Sequence, residues 1–382
     1  MTLDKTSNLP PIQSADELNR LAYTLRGASI LAVDTESNSL FAYRERVCLI
    51  QFSTPQDDFL VDPLALDDLS ALAPVFADGR IEKVFHAAEY DLICLSRDFG
   101  FECSNLFDTM LAARILGRGE LGLGSMLGAE FGVSLDKRQQ RANWGERPLP
   151  SRLLEYARMD THYLIPLRQL LKAELVERNL LALAQEDFNH ICSLPAGVNG
   201  RNTPENRVAD CWRVSGSYDL PPQRAAVLQE LCRYRDQTAQ AMDRPLFKVI
   251  NDHTLLAIAA ELPQSLDDLG SLPGMSPVQI RRHGHQLLRA VNRGLSSAPI
   301  YPPRSPKPDE RYLARLEALR NWRKERAKQM GITSDVVLPR DMMFSLAESG
   351  PLSYAELAQA LNDYPWRLEH FGSEILKLIS AS

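Results

Sequence analysis

Apolar and polar positions alternate in two different rhythms along this chain. Near the N-terminal end, the runs SILAVD, VCLIQFS and DFLVD are short, rich in β-branched and aromatic residues, and separated by polar stretches, which predicts three strands. KVFH then leads into AAEYDLICLSRDF, where Tyr90, Ile93 and Cys94 fall at helical spacing. Three closely connected strands followed by strand–helix alternation predict an α/β domain with a mixed sheet flanked by helices. From Leu106 onward the rhythm is mainly helical.

Two stretches rich in Pro, Gly, Ser and Asn, Ser193 to Arg207 and Leu295 to Glu310, read as linkers. They divide the chain into residues 1–195, 208–295 and 308–382, in keeping with a length of 382 residues, which exceeds one ordinary core. The second and third parts are related. A gapless shift of 88 residues aligns Leu228 with Leu316, Leu231 with Leu319, Tyr234 with Trp322, Arg235 with Arg323 and Met242 with Met330. The register persists through Val249/Val337, Pro263/Pro351, Ser265/Ser353, Leu269/Leu357 and Gly284/Gly372. A period this long exceeds that of solenoids, so a duplicated all-α domain is expected, each copy a bundle of about five or six helices.

Composition and charge narrow the picture only a little. An apolar fraction of 45% and a charged fraction of 24% describe an ordinary globular protein. The polar segment MTLDKTSNLPPIQSADELN lacks the basic start and apolar centre of a signal peptide, and no apolar run reaches spanning length, so a cytoplasmic location and no membrane partner are expected. Six cysteines without C-x-x-C spacing argue against a zinc site or a disulfide framework and read as reduced, mostly core thiols. The net charge of −6 hides an asymmetry: Arg304 to Met330 carries nine Lys/Arg against four acids.

Candidate chemistry begins in ILAVDTESNS. On a strand Asp34 and Glu36 share one face and Thr35 takes the other. Two carboxylates so placed repel, and one must hold a proton unless a cation lies between them. Asp91 follows in the first helical turn after His86, where an acid can also simply meet free N–H groups. In LLEYARMDTHYL, Tyr156 and Asp160 are four apart and share a helix face.

The order of these acids, with DTESNSLFAYRERVCLIQF, VFHAAEYDL, LFDTMLAARILG, LDKRQQRANWGERPL and EYARMDTHYLIPL around them, resembles the ribonuclease D family of DEDD exonucleases in its tyrosine form. The duplicated part resembles two HRDC domains. The resemblance implies a ribonuclease H-like 3'-to-5' exonuclease domain followed by two helical-bundle HRDC domains. It assigns Asp34, Glu36, Asp91 and Asp160 as metal ligands and Tyr156 as the fifth catalytic residue. Arg158 and Met159 depart from the small residues usual between the Tyr and the Asp, and altered flank packing is expected there.

Oxygen-only ligands suit two divalent ions, Mg²⁺ or Mn²⁺. In this reading Asp34 bridges both ions, Glu36 and Asp160 complete one site, and Asp91 holds the other largely through water. Tyr156 orients the attacking water. The implied partner is RNA with a free 3' end, such as tRNA precursors, acted on by a monomer; a DNA exonuclease and a non-catalytic RNA-binding scaffold are the alternatives. Lys137, Arg138, Arg141, Arg323 and Lys324 are candidates for nucleic-acid contact, with solvated basic surface as the plain alternative. Trp144, Arg147-Pro148 and His162 read as structural, and the i,i+2 spacing of His283 and His285, which does not converge on a helix, argues against a metal role.

Overall fold

The computed structural model describes residues 10–193, 210–303 and 309–381. Most of the first linker, part of the second, Arg304, Lys307 and the start of the N-terminal segment lie outside these residues, as does the side chain of Lys137.

The chain opens with α1 (Ala15–Arg26), started by Ser14, whose hydroxyl accepts from the Glu17 N–H, and ended at Gly27. Five strands follow: β1 (Ile30–Ser37), β2 (Val47–Ser53), β3 (Asp58–Val61), β4 (Glu82–Phe85) and β5 (Leu106–Asp108). They form one sheet in the order β3-β2-β1-β4-β5. β1, β2 and β3 pair antiparallel, while β4 and β5 run parallel to β1, so the sheet is mixed as expected. β5 is a short strand inside the stretch that reads as mainly helical from Leu106 onward. Its three residues are too few for a periodic signature, and its pairing with β4 supplies what local pattern lacks.

Between the strands lie α2 (Ala73–Ala77) and α3 (Glu89–Phe99), and after β5 come α4 (Thr109–Ile115), α5 (Leu123–Phe131), α6 (Ser151–His162), α7 (Leu164–Glu177) and α8 (Leu181–Ser193). On α3 the buried face is Asp91, Cys94 and Leu95, whereas Tyr90 is exposed, contrary to its expected place on the apolar stripe. α6 lies against β1, β2 and β3. It is seated there by polar locks: Ser53 Oγ donates to Thr161 Oγ1 at 2.7 Å, and His162 Nδ1 is 2.6 Å from Asp58 Oδ2. The structural reading of His162 thus has a concrete form.

The two helical repeats are α9 (Pro222–Ala241), α10 (Leu246–Val249), α11 (Asp252–Glu261), α12 (Leu266–Gly270) and α13 (Pro277–Ser296), then α14 (Glu310–Met330), α15 (Ser334–Val337), α16 (Arg340–Ser349), α17 (Tyr354–Ala360) and α18 (Pro365–Ala381). The shared register is kept in equivalent backbone and capping contacts. Arg235 Nη1 donates to the Ile250 carbonyl and Arg323 Nη1 to that of Leu338. Ser265 caps α12 as Ser353 caps α17. Even the left-handed residue that ends α11, Leu262 at φ 55°, matches Gly350 at φ 54°. Glycine adopts that conformation without cost, and the first copy carries a leucine there instead.

The chain groups into two compact units: residues 1–37, 47–197 and 307–382, and residues 38–46 with 198–306. The second repeat therefore shares a unit with the sheet domain. Arg367 of α18 explains why: fully buried, it reaches Glu186 Oε2 and Asp187 Oδ1 of α8, both at 2.9 Å, and the Val336 carbonyl at 2.8 Å. Leu316, Leu319, Ile375 and Ile379 of the repeat join the same apolar core as Leu31, Phe85 and Phe188. In the other unit, the segment after β1 packs on the first repeat, with Tyr43 Oη donating to Asp236 Oδ1 at 2.8 Å.

Candidate active site

Asp34 and Glu36 sit on β1, the central strand, next to a β-bulge between Glu36 and Ser37 that bends the chain just past the second carboxylate. Tyr156 and Asp160 look onto the same place from α6. Together with Thr35, His86, Met110, Leu123, Leu135 and Gln140 they line a cavity of about 540 Å³. None of its lining residues is Lys or Arg.

Asp91 stands behind this wall, buried on α3, where the Thr35 hydroxyl donates to its Oδ1. Thr35, the residue between the two acids, thus ties the first motif to the second. A turn before α3 holds Asp91 in place. Asp108, at the end of β5, accepts from the N–H groups of Ala87 at 3.1 Å, Ala88 at 2.7 Å, Met110 at 2.8 Å and Leu111 at 3.1 Å. Ala87 adopts φ 66°, a conformation that an L-residue holds only when its surroundings fix it.

The electrostatics follow from gathering acids where water is scarce. Burial, then the charge of Asp160, raises the Asp34 carboxyl well above the ordinary carboxylate range. Glu36 is raised by burial and by Asp34, Asp160 and Asp91 in turn. Asp91 is raised by burial and Asp34, against the opposing hydrogen bond from Thr35. Asp160 is pushed up to about 7 by burial, although the Tyr156 hydroxyl donates to it and pulls the other way. Tyr156 itself is held firmly in its phenol form by burial and the adjacent carboxylates. It is a hydrogen-bond donor here and no base.

Five residues predicted from separate motifs therefore face one another, four of them on the cavity wall. As placed, however, no three His, Cys, Asp or Glu side chains among the described residues are gathered closely enough to grip one ion. Asp91 is engaged by the Thr35 hydroxyl. The donor set still suits a hard divalent cation: oxygen only, buried, and without a Lys or Arg on the wall.

The block from 142 to 149 backs the site. Trp144 is buried with its ring centroid 6.2 Å from that of Tyr156. Arg147 grips both oxygens of Asp62 at 2.7 Å and the Cys48 carbonyl at 2.7 Å. Sequence reasoning missed Thr35, His86 and Gln140 as cavity residues. His86 had a visible signal, since it stands at the end of β4 in VFHAAEYDL; its Nδ1 is 2.9 Å from Thr109 Oγ1, and burial lowers its pKa.

The basic candidates are dispersed. Arg138 pairs with Asp136 at 2.9 Å on the surface, Arg141 is exposed on the same short 3₁₀ turn, and Lys324 is exposed on α14. Arg323 is half-buried and committed to the Leu338 carbonyl at 2.9 Å. His283 Nδ1 is 2.7 Å from Tyr234 Oη inside the first repeat.

Comparison with known proteins adds an independent line. Residues 10–176 match the 3'-5' exonuclease family, and residues 224–291 and 312–379 each match the HRDC domain. The chain is 29% identical over 358 residues to the ribonuclease D of Pseudomonas paraeruginosa, covering 92% of both. It is 36% identical over 259 residues to human exosome complex component 10, where it spans only 29% of that protein's length. The crystal structure of Escherichia coli RNase D, described as an exoribonuclease involved in structured RNA processing, superposes with a TM-score of 0.69 at 26% identity, covering 98% of this chain and 99% of that one.

Proposed function

We propose, for a chain that belongs to the ribonuclease D-like exonucleases and carries a 3'-5' exonuclease domain with two HRDC domains, that it removes nucleotides hydrolytically from RNA 3' ends, one at a time, through the cavity between β1 and α6. The observation that carries this reading is the meeting of Asp34, Glu36, Asp160 and Tyr156 in one cavity with no Lys or Arg on its wall, with Asp91 directly behind. A cluster of buried carboxylates is costly by itself, and a divalent cation removes the cost.

Asp34, Glu36 and Asp160 would hold the ions, with Asp91 as the outer ligand; the chemistry the ions supply is polarisation of the phosphate and a more acidic water. Every other part of the task falls to the chain. Tyr156, fixed as a phenol and wedged by Trp144, positions the attacking water by hydrogen bond. Met110, Leu123 and Leu135 give the cavity an apolar side that suits the face of a terminal base, and Gln140 offers an amide to its edge. We assign tRNA precursors as the substrate class and two ions as the complement, Mg²⁺ or Mn²⁺.

A time course on a 3'-labelled tRNA precursor and a matching DNA strand, with Mg²⁺, Mn²⁺ or chelator, tests this. Single-nucleotide steps on RNA that stop in chelator support the reading. Equal degradation of the DNA would make the chain a DNA exonuclease, and no release of mononucleotides under any condition would leave a binding scaffold.

A further inference from the structure

Two of the six cysteines that the sequence scatters meet in space. Cys103, in the loop between α3 and β5, and Cys192, in the last turn of α8, are partly exposed, while Cys48, Cys94, Cys211 and Cys232 are buried. α8 packs along β5, which brings the two positions together. Their thiols lie within interaction distance of each other, the Cys103 thiol also donating to the Ser104 carbonyl at 3.9 Å, and both line a cavity of about 320 Å³ bounded by Glu89, Ser96 and Phe101.

The surroundings treat the two sulfurs unequally. The Cys192 sulfur faces the Cys103 thiol and the Leu106 backbone N–H. The Lys83 ammonium lies within electrostatic reach of both sulfurs; it is fully buried and anchored by the Asp78 and Ile81 carbonyls, each at 2.8 Å. An N–H, a thiol and a cation facing one sulfur favour its thiolate. The Cys192 thiol is accordingly lowered, chiefly by its interaction with the Cys103 thiol, and Cys103 is raised by the same interaction and by burial.

We infer that Cys103 and Cys192 form a dithiol that a hydroperoxide oxidises to a disulfide, with Cys192 as the attacking and Cys103 as the resolving thiol. The Cys192 thiolate attacks one peroxide oxygen; an S–O bond forms, the O–O bond breaks, and hydroxide leaves to be protonated, giving a sulfenic acid. Cys103 then attacks that sulfur; the S–S bond forms, the S–O bond breaks, and water leaves. Two thiols and one hydrogen peroxide become a disulfide and two waters, two electrons passing from sulfur to oxygen. A thiol reductant reverses the change. The bond would fasten the end of α8, the helix whose Glu186 and Asp187 hold Arg367, to the loop that enters β5.

The test treats the full chain with a small excess of hydrogen peroxide and alkylates it in denaturant. The expected result is a fall from six alkylated cysteines to four, restored by dithiothreitol, with a single peptide link joining Cys103 to Cys192. In Cys103→Ser, Cys192 should accumulate as a dimedone-reactive sulfenic acid or its over-oxidised forms. In Cys192→Ser, Cys103 should stay reduced at the same dose. Six alkylated cysteines after treatment, a link between any other pair, or faster oxidation of Cys103 than of Cys192 would overturn the assignment. Because the wild-type chain gives the primary readout, the result does not depend on whether the variants fold.

Discussion

Replacing Asp160 with asparagine isolates the electrostatic cost of gathering the acids. Asp160 is 5% exposed, and its carboxyl stands at about 7 in the folded chain against an ordinary 3.8. Between those values the folded chain keeps a proton that the unfolded chain has released. Stability from this group is therefore complete below pH 3.8 and lost as the pH rises through about 7. At about 1.36 kcal/mol per pH unit the ceiling on the loss is about 4 kcal/mol, and sharing of the proton with Asp34 and Glu36 in a cavity open to water makes about 2 kcal/mol the working figure. Asparagine retains an acceptor for the Tyr156 hydroxyl and carries no charge. In chelator, Asp160→Asn should raise the melting temperature of the unit that contains the sheet by several degrees at pH 8 and leave it unchanged at pH 4. Magnesium should stabilise the wild type at pH 8 and the variant far less. Thermal melts followed by circular dichroism, at both pH values and with and without magnesium, decide the matter. No gain at pH 8, or the same gain at both pH values, would refute the reasoning.

Other consequences are as direct. Tyr156→Phe keeps the ring against Trp144 and removes only the hydroxyl, so the rate of nucleotide release should fall by about 10²-fold with little change in KM, as single-turnover and steady-state kinetics would show. Thr35→Val removes the hydrogen bond to Asp91 at nearly constant volume; activity should fall and the magnesium concentration needed for half-maximal rate should rise, whereas an unchanged magnesium requirement would free Asp91 from this role. Arg367→Met leaves Glu186 and Asp187 facing each other without their cation, at a cost of about 3–5 kcal/mol. Limited proteolysis should then release the second helical repeat from the sheet domain well before the wild type is cut.

What the sequence made legible was whatever repeats locally. The strand carrying Asp34 and Glu36 is an apolar run, Tyr156 and Asp160 are one helical turn apart, and the 88-residue register shows itself because both copies preserve the same buried positions, down to Leu228 and Leu316. Long-range pairings leave no such trace. β5 is made a strand by β4, Thr35 meets Asp91 across 56 positions, and Cys103 reaches Cys192 only because α8 lies on β5. The same holds for Arg367, which sits in a helical repeat and looks in sequence like any surface arginine. Its two acidic partners are in α8, so its burial could be seen only in three dimensions.

The central claim is that four carboxylates from three elements make a cation pocket that cuts RNA. Magnesium titration calorimetry on the wild type and Asp34→Asn, paired with nucleotide release from the same samples, addresses it most directly. The account predicts saturable binding with proton release in the wild type, and the loss of both binding and hydrolysis in a variant whose circular dichroism is unchanged. A variant that binds magnesium as tightly and shortens RNA at close to the wild-type rate would contradict it.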